Sequence, residues 1–136
     1  GDDAGWAVRQ LREQGLQDTV ILGGKSSGIE KVYPACDCLV HPTYYDACSR
    51  VVLEALASGL FVITTDANGA KMYVDGDNGL IVPAGDPAAL AGAMNKALRA
   101  AGTAAPSVLF KDHVETFADL ERLFLEVLRK KASGGT

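Results

Sequence analysis

Two carboxylates, Asp46 and Glu54, lie eight residues apart around the predicted start of a short helix. A carboxylate accepts two hydrogen bonds at once, so such a pair suits a ligand with neighbouring hydroxyl groups. The first amides of a helix have no intrahelical partner, and together with the helix dipole they favour an anion. The pattern therefore indicates a pocket for a molecule with hydroxyls and a negative charge. The spacing fits equally well a plain helix cap at Asp46 and a solvated Glu54.

A strand, a loop, a helix and a second strand must position these groups. The apolar run Cys38–Val40 stops at His41 and Pro42, where proline removes a strand donor. Residues 49–57 place apolar side chains at helical spacing, and a glycine follows them as a left-handed cap. The β-branched and aromatic run 61–65 predicts a strand buried on both faces. Open α/β sheets bind ligands in loops after parallel strands, so topology and residue types agree on the location.

The rest of the chain continues the alternation of strands and helices. The predicted strands are short aliphatic or β-branched runs at 19–22, 38–40, 61–65 and 80–82. The predicted helices show apolar side chains at helical spacing over 4–14, 29–33, 49–57, 87–100 and 112–130. Asp86 is expected to cap the fourth helix, with Pro87 at its first position. Four strand–helix units in series predict an α/β fold, a doubly wound parallel sheet with helices on both faces.

The length predicts one domain, and the composition argues against a nucleic-acid partner and a membrane span. At 136 residues the chain is a single domain, residues 1–136, with a disordered tail expected over 132–136. The net charge of −4 argues against a nucleic-acid partner. The three cysteines form no metal-ligand pattern, which favours reduced thiols and an intracellular protein. The sequence shows neither a signal peptide nor an apolar run of membrane-spanning length.

The central stretch resembles a known family. Asp46-x7-Glu54 leads into an Ala-Leu-Ala-Ser-Gly run and then Val-Ile-Thr-Thr-Asp at 62–66. This order is similar to the E-x7-E signature of retaining GT-B glycosyltransferases, and the runs at 75–83 and 85–90 resemble that family's sequence downstream of the signature. The likeness covers nearly the whole chain and is strongest to the lipopolysaccharide-core α-glucosyltransferase branch. It implies the C-terminal, donor-binding domain of such an enzyme, with a Rossmann-like fold.

The resemblance also implies roles for individual residues. Asp46 takes the place of the first glutamate, which contacts the donor sugar, and is the expected catalytic residue. Glu54 is expected to hold the ribose hydroxyls, and His41 is interpreted as structural rather than catalytic. Asp46 is one methylene shorter than glutamate and Ser49 replaces the usual glycine, so the sugar preference stays open. The remaining donor-binding residues implied are Gly24 and Lys25 near the nucleotide base, and Ala47, Cys48, Ser49, Arg50 and Val51 near phosphate or sugar oxygens.

The implied reaction moves a hexose from a nucleotide diphosphate sugar to a glycan or lipid-linked acceptor, as in lipopolysaccharide or surface polysaccharide synthesis. UDP-glucose is the expected donor, with no metal and no other cofactor. The acceptor would bind through an N-terminal domain, and the whole enzyme would work in the cytoplasm, with peripheral contact at the inner face of the plasma membrane. Two other functions stay open, a non-hydrolysing nucleotide-sugar 2-epimerase and a non-catalytic nucleotide-binding module.

The resemblance leaves a gap at the amino end. The family's domain begins with a strand, a helix and a second strand, and Gly1 corresponds to the residue just after them. Because the first of those strands lies at the switch point, the strands at 19–22 and 38–40 are expected to lack their usual neighbour. The chain is then a fragment of a longer enzyme, or it must rearrange or pair to cover those edges. Alone, it is expected to bind donor weakly and to transfer nothing.

Overall fold

A three-stranded parallel sheet organises the structure, a computed structural model that describes residues 4–100 and residue 122. Its strands are β1 (Cys38–His41), β2 (Phe61–Thr65) and β3 (Gly79–Val82). The α-helices in the described part are α1 (Ala4–Glu13), α2 (Arg50–Ala57) and α3 (Pro87–Ala100). Short 3₁₀ helices cover Ile29–Lys31, Tyr33–Ala35 and Gly69–Tyr73.

The strand order is β1-β2-β3, and both pairings are parallel. Val40 of β1 lies opposite Ile63 of β2, which lies opposite Leu80 of β3. Parallel neighbours require crossover connections, which α2 supplies between β1 and β2 and the 3₁₀ helix Gly69–Tyr73 supplies between β2 and β3. All three strands therefore end at the same edge of the sheet, where ligands bind in open α/β folds.

The core is divided between the two faces of β2. Val62 packs on one face with Val52, Ala55 and Leu56 of α2, and Ile63 packs on the other face with Ala93 of α3. Val62 and Ile63 are both 0% exposed. Burying each such side chain stabilises the fold by roughly 1.5–3 kcal/mol. The prediction of helices on both faces of a parallel sheet is confirmed.

The predicted strand at 19–22 is wrong. Thr19 and Val20 donate their amides to the carbonyl of Leu16, at 3.0 and 2.9 Å, so this part continues the turn after α1. Ile21 is 92% exposed. A strand forms only where a neighbour completes its ladder, and no strand in the described part of the chain pairs with these residues.

Smaller differences have local causes. The helix expected over 29–33 is replaced by two 3₁₀ helices, and Pro34 lies inside the second, since proline is tolerated in a first turn. The predicted apolar face of α3 is only half covered, because Leu98 is 72% exposed. Asp86 caps α3 as predicted, its Oδ1 accepting from the amide of Ala89 at 2.9 Å. The helix predicted over 112–130 and the tail at 132–136 lie outside the described residues. Within the described part, no helix is long and apolar enough to cross a membrane.

Candidate functional site

The loop between β1 and α2 carries Asp46 and leads into the first turn of α2. Two hydrogen bonds attach this loop to β2. Thr64 Oγ1 donates to the carbonyl of His41 at 3.2 Å. One residue later, Thr65 Oγ1 donates to the carbonyl of Thr43 at 2.6 Å. Both hydroxyls belong to buried strand residues, so the loop starts from a fixed point at the carboxyl edge of the sheet.

The backbone of Asp46 is held by residues that follow β2. Its amide donates to the carbonyl of Ala67 at 3.2 Å, and its carbonyl accepts from the amide of Gly69 at 2.9 Å. These bonds form an isolated parallel bridge between Asp46 and Asn68. A Cβ on Gly69 would lie 1.8 Å from the carbonyl oxygen of Ala47. Only glycine therefore allows the two chain segments to approach this closely.

Asn68 connects the sheet, the turn and the helix start through its side chain. Its Oδ1 accepts from the amides of Ser49 at 3.3 Å and Ala70 at 3.0 Å, and its Nδ2 donates to Thr64 Oγ1 at 2.9 Å. The residue is 0% exposed. Asn and Gly are residue types that tolerate positive φ angles in turns, but neither Asn68 nor Gly69 adopts one. Their actual role is a close backbone approach and a buried hydrogen-bond network, which only the tertiary contact reveals.

The carboxylate of Asp46 has one oxygen bound and one directed at an imidazole. Oδ1 accepts from the amide of Cys48 at 3.1 Å. Oδ2 lies 3.7 Å from Nε2 of His41, and the Asp46 side chain is 33% exposed. A carboxylate that is anchored at one oxygen and partly open at the other can still accept hydrogen bonds from a ligand.

Fewer amides at the start of α2 are free to bind an anion than the sequence predicted. Those of Cys48 and Ser49 are already taken, by Asp46 Oδ1 and Asn68 Oδ1. Within the described part of the chain, the amides of Ala47, Arg50 and Val51 have no acceptor. The predicted anion site is therefore reduced to these three groups, at the exposed end of a helix of 8 residues.

Glu54 lies one turn into α2 and is held by a buried phenol. The hydroxyl of Tyr33, a residue only 3% exposed, donates to Glu54 Oε2 at 3.0 Å. Burial, the hydrogen bond to Glu54 and the negative charges of Glu54 and Glu30 together raise the pKa of Tyr33 to about 12. The phenol therefore remains a donor at neutral pH. Glu54 itself is exposed, so its other oxygen remains accessible.

Gly24 and Lys25 lie in an irregular, exposed stretch that no strand precedes. Gly24 has a φ of 68°, in the left-handed region that glycine adopts without strain. Their assignment to the nucleotide base stays a prediction. In the described part of the chain, no three His, Cys, Asp or Glu side chains gather as a metal site would require.

The fold and the site define a Rossmann-like unit, with two carboxylates beside a helix start at the carboxyl edge of a parallel sheet. Comparison with known families is more specific. Residues 1–100 match the family described as "Glycosyl transferases group 1". The chain belongs to the group 1 glycosyltransferases.

Curated relatives of the chain are glycosyltransferases by name. The lipopolysaccharide glucosyltransferase WaaG of Escherichia coli K12 is 29% identical over 91% of this chain and 33% of its own length. A GDP-mannose-dependent alpha-mannosyltransferase of Mycobacterium tuberculosis is 34% identical over 77% of this chain and 30% of its own. Anabaena HepE, solved in complex with UDP, superposes with a TM-score of 0.68 at 28% identity, over 74% of this chain and 28% of that one. The chain thus spans about a third of the curated relatives.

These likenesses confirm the Rossmann-like fold of GT-B proteins and the glycosyltransferase family. The role of each site residue, the donor and the stereochemical course stay predictions.

Proposed function

We propose that this chain is the donor-binding part of a retaining hexosyltransferase. The enzyme moves glucose from UDP-glucose to a glycan or lipid-linked acceptor in lipopolysaccharide or surface polysaccharide synthesis. Family membership and the alignment with WaaG support this proposal. The observation that carries it is the state of the two carboxylates. Asp46 and Glu54 each have one oxygen fixed inside the protein, by Cys48 and Tyr33, and one oxygen left for a ligand.

The chemistry of donor cleavage fits these groups. Breaking the bond between the anomeric carbon and the diphosphate places negative charge on the leaving phosphate and positive charge on the sugar ring. The amides of Arg50 and Val51, at the positive end of the helix dipole, stabilise the phosphate without rearrangement. Asp46 Oδ2 accepts from sugar hydroxyls on the reacting face, and Glu54 Oε1 accepts from the ribose hydroxyls. No metal and no other cofactor is part of this proposal.

The acceptor and the site of action belong to the whole protein. We place the acceptor in an N-terminal domain and the enzyme in the cytoplasm, with peripheral contact at the inner face of the plasma membrane. Because the chain spans about a third of its curated relatives, it is expected to bind donor weakly and to transfer nothing by itself. Hexose transfer by the purified 136-residue chain would contradict this expectation.

Donor binding can be measured by NMR titration of the labelled chain with UDP, UDP-glucose and GDP-mannose, since this method detects millimolar dissociation constants. Glu54→Gln should weaken UDP about 10- to 100-fold, because hydrogen bonds to a charged acceptor contribute about 1.5–3 kcal/mol. Glu13→Gln, an exposed change on α1, is the matched control and should have no effect. An unchanged UDP affinity in Glu54→Gln would remove the ribose role.

The same titration tests the choice of donor. The mannosyltransferase relative uses GDP-mannose by its name, so this nucleotide sugar is the specific competitor. Tighter binding of GDP-mannose than of UDP-glucose would change the donor and leave the site assignment in place. Binding of none of the three compounds would contradict the donor-site proposal itself.

A further inference from the structure

One nitrogen of His41 faces two groups of the site. Nε2 lies 2.9 Å from Ser49 Oγ and 3.7 Å from Asp46 Oδ2. His41 ends β1 and its side chain is 25% exposed, and Ser49 is 4% exposed. Ser49 occupies the cap position of α2, yet its hydroxyl makes no cap bond to that helix. The hydroxyl is directed instead at the imidazole.

The backbones of both partners of this contact are held by other bonds, so the two side chains start from defined positions. The amide of Ser49 donates to the buried Asn68 at 3.3 Å, and its carbonyl accepts from the amide of Leu53 at 3.2 Å. The carbonyl of His41 accepts from Thr64 Oγ1 at 3.2 Å. A side-chain contact between two anchored residues loses little conformational entropy when it forms.

The Ser49 hydroxyl and the Asp46 carboxylate favour different protonation states of His41 Nε2. An unprotonated Nε2 accepts from the Ser49 hydroxyl, and it then has no hydrogen to offer Asp46. A protonated Nε2 donates, and the carboxylate of Asp46 is the stronger acceptor. In the described part of the chain, the Asp46 carboxylate is the charged group within 4 Å of the ring. The uncharged hydroxyl of Ser49, the cap residue of α2, is the other partner of the ring, while the Thr64 hydroxyl of β2 donates to the His41 backbone carbonyl.

We propose that Ser49 and His41 are positioning residues that keep Asp46 available for the donor sugar. The Ser49 hydroxyl donates to Nε2 and selects the neutral tautomer with its proton on Nδ1. Asp46 Oδ2 then stays unpaired and can accept from the hydroxyls of the hexose. Protonation of His41 replaces this arrangement with an ion pair between the imidazolium and Asp46, which withdraws the carboxylate from the ligand. The inference rests on the proposed function and adds a pH-dependent control of sugar binding to it.

The ratio of UDP-glucose affinity to UDP affinity tests the proposal, because Asp46 contacts the sugar and not the nucleotide. In NMR titrations of the 136-residue chain at neutral pH, Ser49→Ala should reduce this ratio about 2- to 10-fold, the value of one hydrogen bond. Ser58→Ala, at the other end of α2, is the matched control and should leave the ratio unchanged.

A pH series separates positioning from a merely structural role. Between about pH 8 and about pH 5, the range in which histidines change charge, the ratio should fall further in the wild type than in His41→Gln. The terminal phosphate of UDP also gains a proton in this range, but it does so equally in both titrations. Glutamine retains a hydrogen-bond partner for Ser49 and cannot become cationic. The same pH dependence of the ratio in the wild type and in His41→Gln would overturn the proposal.

The tautomer can be observed without any ligand. Nitrogen-15 NMR of the His41 ring should show an unprotonated Nε2 and a protonated Nδ1 in the neutral state. A proton on Nε2 in the neutral state would contradict the inference even if donor binding is confirmed. Binding of neither UDP nor UDP-glucose would overturn the proposed function, and the inference with it. Binding of both with an unchanged ratio in Ser49→Ala would overturn the inference alone.

Discussion

The two carboxylates of the site are held in place by different kinds of structure. Glu54 stands on a helix, and one contact from Tyr33, 21 residues earlier, fixes one of its oxygens. Asp46 stands in a loop, and its backbone is held by a bridge to residues 67–69. The helix would place Glu54 even without the tyrosine, because its own backbone bonds define the position. The loop has no such internal support and depends on its contact with the next turn.

From this difference we expect the Asp46 side of the site to be more sensitive to distant changes than the Glu54 side. Changes at Asn68 or Gly69 should displace Asp46 and leave Glu54 in place. A change at Tyr33 should affect Glu54 and leave the loop in place. Three substitutions test this separation, and they follow in order of decreasing expected effect.

The largest effect is expected for Asn68→Ala. The substitution removes three buried hydrogen bonds and leaves the amides of Ser49 and Ala70 without an acceptor. The free energy of unfolding should fall by about 2–4 kcal/mol in urea denaturation. Asn95→Ala, an exposed change on α3, is the matched control and should be neutral or slightly stabilising. A loss below about 1 kcal/mol at Asn68 would mean that the network does not hold the loop.

Gly69→Ala should come second. The new Cβ would meet the carbonyl of Ala47, so the loop must move, at a cost of about 1–3 kcal/mol. Gly92→Ala has the opposite expectation, because nothing lies within 4 Å of that Cβ and alanine favours the helix interior by about 0.5–1 kcal/mol. Amide NMR shifts should change around Asp46 and stay constant around Glu54. Equal shifts at both carboxylates would remove the distinction between them.

Tyr33→Phe should have the smallest effect at neutral pH, a loss of about 1 kcal/mol from one hydrogen bond. The loss of this hydrogen bond is identified by how stability changes at alkaline pH. The unfolded tyrosine ionises near pH 10, whereas the folded Tyr33 has a pKa of about 12, so wild-type stability should fall as pH rises between these values. The phenylalanine variant should lack this component, and Tyr45→Phe, at an 83% exposed residue, should retain it. An identical alkaline decline in Tyr33→Phe would contradict the assigned role.

The sequence could predict the features that depend on local pattern. Apolar spacing located α2 and therefore Glu54, and the β-branched run located β2. Asp86 capped α3 as its position before Pro87 indicated. The prediction of a strand at 19–22 was wrong because β propensity is a property of one segment. It does not indicate whether a neighbouring strand is present to pair with that segment.

The Asp46 side of the site could not be predicted in the same way. Its geometry depends on contacts between residues about 20 positions apart, which no local spacing encodes. Asn68 and Gly69 indicated only a turn, since their residue types favour one. The contact between His41 and Ser49 also depends on the tertiary structure and could not be predicted from the sequence, although the position of His41 at the strand end placed it near the pocket.

The close approach of Gly69 to Ala47 has a consequence for engineering. A chimera that imports residues 42–49 from a relative with another sugar preference would place foreign side chains against a turn shaped for the original ones. Because the loop and the turn at 66–69 are in such close contact, a chimera should exchange both segments together.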